Sequence, residues 1–153
     1  MNTQKVRIKI EGRHTKREYD NLWFAAQRQW GKIREEATER GLEIPVESSM
    51  TVHFDSLSTI QKNIPGAVGY QMRYNIHVAK DISASIYRHV ENLSGILLHE
   101  FWHIIQMCNP LKYPEYAFHG QWNCRIKIEE DAEQTAKKLK RKRHKKIFRK
   151  KED

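Results

Sequence analysis

Cysteine is scarce in this chain, with only Cys108 and Cys124. Two thiols cannot build the multi-bridge framework that staples small exported domains. They are expected to be free thiols in a reducing compartment, and a cytoplasmic location follows. No apolar run approaches the roughly 18 to 20 residues that a membrane span requires. The opening stretch, MNTQKVRIKIEGRHTKR, carries a charge every few residues and has no apolar core of the kind an export signal needs. Neither a membrane partner nor export is therefore expected.

Acidic residues are missing from one stretch altogether. Residues 137–151 hold eleven of the 28 Lys and Arg and no Asp or Glu, which leaves seventeen basic against seventeen acidic residues in 1–136. The net charge of +9 thus belongs to the basic C-terminal tail, and the body of the chain is formally neutral. Any attraction to an acidic partner must come from the tail. With 153 residues there is room for one core, since domains run to about 100 to 150 residues before a second core forms. The expected organisation is a single domain over 1–136 followed by the tail, 137–153.

Hydrophobic periodicity divides that domain into α and β segments. Val6, Ile8 and Ile10 alternate with charged residues, as in a strand with one wet face. From Thr15 to about Arg40 there is no proline, and Tyr19, Leu22, Trp23, Ala26, Trp30, Ile33 and Ala37 recur every three or four residues. A long amphipathic helix is predicted there, with Gly41 at its C-terminal end. Ile44 to Phe54 reads as a second strand and Ser56 to Gly69 as a loop turning at Pro65-Gly66. Tyr70, Met72, Tyr74, Ile76 and Val78 alternate with polar residues and predict a third strand. Asn92 or Ser94 can cap a helix over Leu93 to Met107 that Asn109-Pro110 stops, and a last helix runs from about Ile126 into the tail.

The chemistry lies in His99-Glu100-Phe101-Trp102-His103. Histidines four apart share a helix face, so both imidazoles can reach one zinc ion at about 2.0 to 2.1 Å. Glu100, turned about 100° from His99, is placed to activate a water on that ion as general base. The helix is otherwise apolar nearly all round. Three ionisable groups buried there without partners would cost several kcal/mol, and a single bound Zn2+ supplies the partner.

A catalytic zinc uses three protein ligands and keeps one position open. Glu129, Glu130, Asp131 and Glu133 are the acids of the last helix, whose apolar stripe is Ile128, Ala132, Thr135, Ala136 and Leu139. On a helical wheel Glu129 lies about 70° from the stripe and turns inward, whereas Glu130 points to solvent. Glu129 is the expected third ligand. Small Ala132 and Ala136 would let this helix approach the histidine helix closely. Glu133 is expected to accept a hydrogen bond from the outer nitrogen of a ligating histidine, and Gln106 to make a similar supporting or core hydrogen bond.

At these residues the sequence resembles the gluzincin side of the zincin metalloproteases, in which H-E-x-x-H precedes a helix carrying E-x-x-A-[DNE]. The pieces here are HEFWHIIQ at 99–106 and EEDAEQTA at 129–136, similar to the compact ImmA/IrrE-type proteins and minigluzincins. The resemblance covers roughly 50 residues. It implies an α+β zincin-like fold: a small twisted sheet, a long packing helix, an active-site helix and a C-terminal ligand helix. It also implies a zinc-dependent peptidase with His99, His103 and Glu129 on the metal and Glu100 as base and acid. The strand from Gly69 to Val78 would be the sheet edge on which a peptide substrate is laid. Phe101 and Trp102 depart from the smaller residues common at those positions. Tyr113, Tyr116, His119 and His77 are candidates, by position, for oxyanion or substrate contacts.

Two further readings stand beside this one. His119-Gly120 resembles the DNA-associated SprT-like metalloproteases, in which such a histidine is the third ligand, although Trp122 falls one residue early and no zinc-ribbon cysteines are present. The other is a non-enzymatic regulatory or nucleic-acid-associated protein with a structural or vestigial metal. Lys137 to Lys151 could then contact phosphates, which needs charge but no sequence code.

Overall fold

In a computed structural model, which describes residues 5–81, 93–118 and 121–142, the first period-two segment forms β1 (Arg7–Ile10). Helix α1 (Lys16–Glu39) follows and starts at a capping box. The Thr15 hydroxyl accepts from the Glu18 N–H, and the Glu18 carboxylate accepts from the Thr15 N–H, both at 3.0 Å. At the other end Gly41 has φ +71°. Its N–H reaches the carbonyl of Thr38 while that of Leu42 reaches Ala37, so the last carbonyls are satisfied.

The second strand is shorter than its β-branched composition predicts. β2 covers only Thr51–Asp55, and Glu47–Ser49 before it is a turn of 3-10 helix. The segment read as a loop contains α2 (Leu57–Asn63), capped by Ser56. The third predicted strand is a hairpin, β3 (Gly69–Met72) and β4 (Asn75–Ala79), joined through Arg73 at φ +56°. Helix α3 (Leu93–Cys108) matches its prediction closely; Ser94 lies inside it rather than capping it, and Asn92 is outside the described residues. Helix α4 (Trp122–Arg141) begins about a turn before the expected Ile126.

The result is an α+β arrangement with a mixed four-stranded sheet in the order β1-β2-β4-β3. The first three neighbours run parallel, and β3 lies antiparallel to β4 at an edge. Register places Ile8, Val52 and Ile76 in one row and Ile10, Phe54 and Val78 in the next, all facing the helices. At β3 these rows end in Gln71 and Gly69, so the apolar face stops where the edge strand meets α3.

α3 is apolar all round because it is covered all round. Helix α1 offers Ala26, Trp30, Ile33 and Ala37, all fully buried, with Trp30 packed on Phe101 of α3 at 5.3 Å between ring centroids. Burial of each such large side chain is worth about 1.5 to 3 kcal/mol. Helix α4 lies along the other flank in the most extensive contact between any two elements. Its predicted stripe of Ile128, Ala132, Thr135, Ala136 and Leu139 is the buried one, with the two alanines permitting close approach.

Helical structure and core continue past residue 136. Leu139 is fully buried, Lys138 bonds to Glu36 of α1 at 2.8 Å, and Lys142 pairs with Glu35 and Glu39. The first part of the basic segment is thus a helix end that clamps α1, and residues 143–153 are outside the described set. No helix among the described residues is long and apolar enough to cross a membrane.

Candidate metal centre

The helical repeat brings His99 and His103 to one face of α3, with ring centroids 4.8 Å apart and planes at 80°. Glu129 projects from α4 between them. Its Oε1 lies 3.0 Å from His99 Nε2 and its Oε2 lies 3.2 Å from His103 Nε2. The donor atoms of all three lie within 4.8 Å of one another, and this is the one such group of three among the described residues. Donors placed tetrahedrally at 2.0 to 2.1 Å from an ion sit about 3.3 Å apart. The two carboxylate-to-imidazole spacings, each to a different oxygen of Glu129, fall within a few tenths of an ångström of that, while donor separations in the group extend to as much as 4.8 Å, so the side chains would draw together on an ion. Two imidazoles and a carboxylate suit a divalent cation of intermediate softness. Side-chain exposure rises from 6% at His103 through 23% at His99 to 40% at Glu129, so the group is buried at one histidine and reaches solvent at the carboxylate.

Electrostatics follow from that burial. Glu100 is buried beside the two histidines, and desolvation raises its carboxyl above the usual range, with the imidazoles opposing and Glu129 adding to the rise. At His103 burial works against protonation, but the hydrogen bond to Glu129 and the charge of Glu100 outweigh it and raise the imidazole. Burial also opposes the charge on Glu129, which the hydrogen bonds from both histidines nonetheless hold far below the ordinary carboxyl range. Gly69 of β3 lies directly against this corner: a Cβ there would be 3.6 Å from Glu100 Cγ.

Behind the histidines is a polar network that ties the helices together. His103 Nδ1 meets Gln106 Oε1 at 2.7 Å, the supporting contact expected of Gln106. The Gln106 amide nitrogen donates to the Ile128 carbonyl and to Asp131 Oδ2, both at 3.0 Å. Asp131 Oδ2 also accepts from Trp102 Nε1 at 2.7 Å. Arg40, the C-cap residue of α1, lies over the Trp102 ring at 4.7 Å and reaches to 4.0 Å from Asp131 Oδ1.

Several predicted site residues stand elsewhere. Glu133 is exposed and pairs with Lys137 at 3.3 Å, so the histidine contact assigned to it is made by Gln106 instead. The reason is rotation: position 133 faces away from α3 once Ala132 and Ala136 pack on it. Tyr113 lies close enough to Asp131 and Arg40 for both to influence its hydroxyl, beside the network behind the histidines. His77 does not border the group. It alternates with the core-facing Ile76 and Val78 and therefore sits on the far face of the sheet, stacked between Tyr70 and His53, with Nδ1 2.8 Å from Asp55. Tyr116 is close enough for Glu100 and Glu129 to influence it, and its hydroxyl donates to Gln71 Oε1 of β3 at 2.6 Å. His119 lies outside the described residues. Glu130 is exposed, as the wheel implied.

Asp131 and Gly69 were missed by the sequence reading. Asp131 is three residues after Ile128 and four before Thr135, both buried, and that spacing marks it as flanking the packed face. Nothing local marks Gly69. No family model, no curated protein and no solved structure matches this chain.

Proposed function

We propose that the chain is a zinc-dependent peptidase of zincin-like architecture, with His99, His103 and Glu129 as the metal ligands and Glu100 as the general base and acid. The observation that carries the reading is the reach of Glu129, from a separate helix, to both Nε2 atoms while Glu100 is buried alongside. When bound, zinc would supply Lewis acidity that acidifies a water and polarises a scissile carbonyl. Three protein ligands would leave the open position that hydrolysis needs.

The chain's own groups account for the remainder. Glu100 takes the proton from the attacking water and returns it to the leaving amine. Burial favours that double duty, because it raises the proton affinity of the carboxylate, which can then hold the proton it accepts before giving it up. Strand β3 forms the sheet edge beside α3, and a peptide added to it would run past Glu100 with its backbone held by ladder hydrogen bonds. Among the described residues the sheet edge beside α3 is Gly69–Met72, because β4 is paired on both sides.

The test is Glu100→Gln, assayed on a denatured protein with zinc content measured in parallel. Loss of about 100-fold or more in hydrolysis with zinc retained is expected, in line with removal of a general base. Hydrolysis at the wild-type rate in this variant would refute the role of Glu100.

A further inference from the structure

The amide of Gln106 can be oriented without reference to any assumed hydrogen position. One of its ends faces the carbonyl of Ile128 and Oδ2 of Asp131, both at 3.0 Å. A backbone carbonyl can only accept, and Oδ2 is committed as an acceptor by the indole N–H of Trp102, which can only donate. That end of Gln106 must therefore be its NH2 group. The other end, 2.7 Å from His103 Nδ1, is then the carbonyl oxygen, and Nδ1 must carry a proton to donate to it. With Nδ1 holding its proton, the proton that a metal would displace is the one on Nε2, the atom that faces Glu129.

We infer that Asp131 is a positioning residue for metal binding: through Gln106 it fixes which nitrogen of His103 is presented to the metal, and through Trp102 it holds that arrangement against α3. The inference rests on the metal role proposed above. Turning Gln106 round would set its oxygen against two acceptors, so Asp131 and the Ile128 carbonyl each disfavour the wrong orientation. Asp131 is also the point at which α1 joins the site, because Arg40 approaches its other oxygen and covers the Trp102 ring.

The experiment uses the full chain and zinc titrated against a competing chelator. Three variants are compared with wild type: Asp131→Leu, Asp131→Asn and Glu133→Leu. Glu133 carries the same charge on the same helix but makes no contact with the network, so it reports the effect of lost charge alone. Loss of a group that orients a ligating histidine weakens zinc about 10- to 100-fold, and Asp131→Leu is expected in that range with Glu133→Leu at wild-type affinity. Asp131→Asn should fall between them. Its amide keeps one oxygen, but Arg40 attracts that oxygen to the side away from Gln106.

A second readout is the ring proton of His103, followed by nitrogen–proton correlation spectra of the zinc-loaded protein. It should sit on Nδ1 and exchange slowly in wild type and Glu133→Leu, and faster in both Asp131 variants. If Asp131→Leu does not fold, the exchange rate in Asp131→Asn decides the matter. Wild-type zinc affinity and wild-type exchange in the Asp131 variants would overturn the inference while leaving the metal site intact. Equal losses in Asp131→Leu and Glu133→Leu would overturn it too, by reducing it to net charge. Wild-type protein that takes up no zinc would remove the metal reading and this inference together.

Discussion

Gly69 lies on the edge strand directly against α3, and Gly69→Ala tests whether that closeness is required. A Cβ built there lies 2.8 Å from Ile96 Cγ2 and 3.0 Å from the His77 carbonyl oxygen. Carbon atoms in contact rest about 3.5 to 4.0 Å apart, so the Ile96 contact is too short by about 1 Å. Neither neighbour can give way easily. Ile96 is buried, and a β-branched side chain in a helix has essentially one rotamer. The carbonyl belongs to β4, which is hydrogen-bonded on both sides. The strand or the helix must move, and overpacking of this kind costs about 1 to 3 kcal/mol. For a chain of this size each kcal/mol lowers Tm by about 2 to 4 °C.

Urea unfolding of wild type, Gly69→Ala, Ile96→Ala and the double variant measures the effect as a cycle. Ile96→Ala alone should cost about 2 to 5 kcal/mol as a cavity. In that background the added methyl has room, so its penalty should shrink by about 1 kcal/mol or more, a coupling typical of residues in contact. A Gly69→Ala protein as stable as wild type, or a penalty identical in both backgrounds, would refute the packing argument.

Two other outcomes follow from the same structure. Glu129→Ala should weaken zinc binding by at least tenfold and abolish the rise in Tm that zinc produces in the wild type, as titration calorimetry and thermal melts in zinc and in chelator would show; an unchanged affinity would remove Glu129 from the ligand set. Glu36 is almost fully buried in α1, where desolvation opposes its charge but hydrogen bonds from Lys138 and Arg40 hold its carboxyl below the ordinary range. Because its folded pKa is depressed, its stabilisation is present above the unfolded carboxyl value of about 4.3 and is lost as pH falls through the folded value. Glu36→Gln should therefore cost about 1 to 3 kcal/mol at neutral pH and progressively less in acid, and a gap that stays constant down to pH 3 in urea titrations would contradict this.

Much of the site was legible because its determinants are local. A helix of 3.6 residues per turn puts positions 99 and 103 on one face in any tertiary setting, and a capping box or a glycine after the last turn acts within a few residues of itself. The stripe on α4 was equally local, and it was enough to select Glu129 over Glu130. The histidine contact expected of Glu133 was not local: position 133 adjoins the stripe at Ala132, but only the packing of Ala132 and Ala136 on α3 shows which flank faces the histidines.

The segment 70–78 shows what lies beyond such reasoning. Its apolar residues alternate without a break, yet Tyr70 and Met72 face one side of the sheet while Ile76 and Val78 face the other. A two-residue turn at Arg73 and Tyr74 reverses the phase, and no glycine marks it. Alternation records the period of a strand but not its direction, which depends on partners contributed by β2. The sequence by itself determined the three long helices, the paired histidines and the third candidate ligand. The edge strand against Glu100, the room that Gly69 makes for it, and the Asp131 network depend on residues 20 to 90 positions apart meeting in space, and only the tertiary structure decided those.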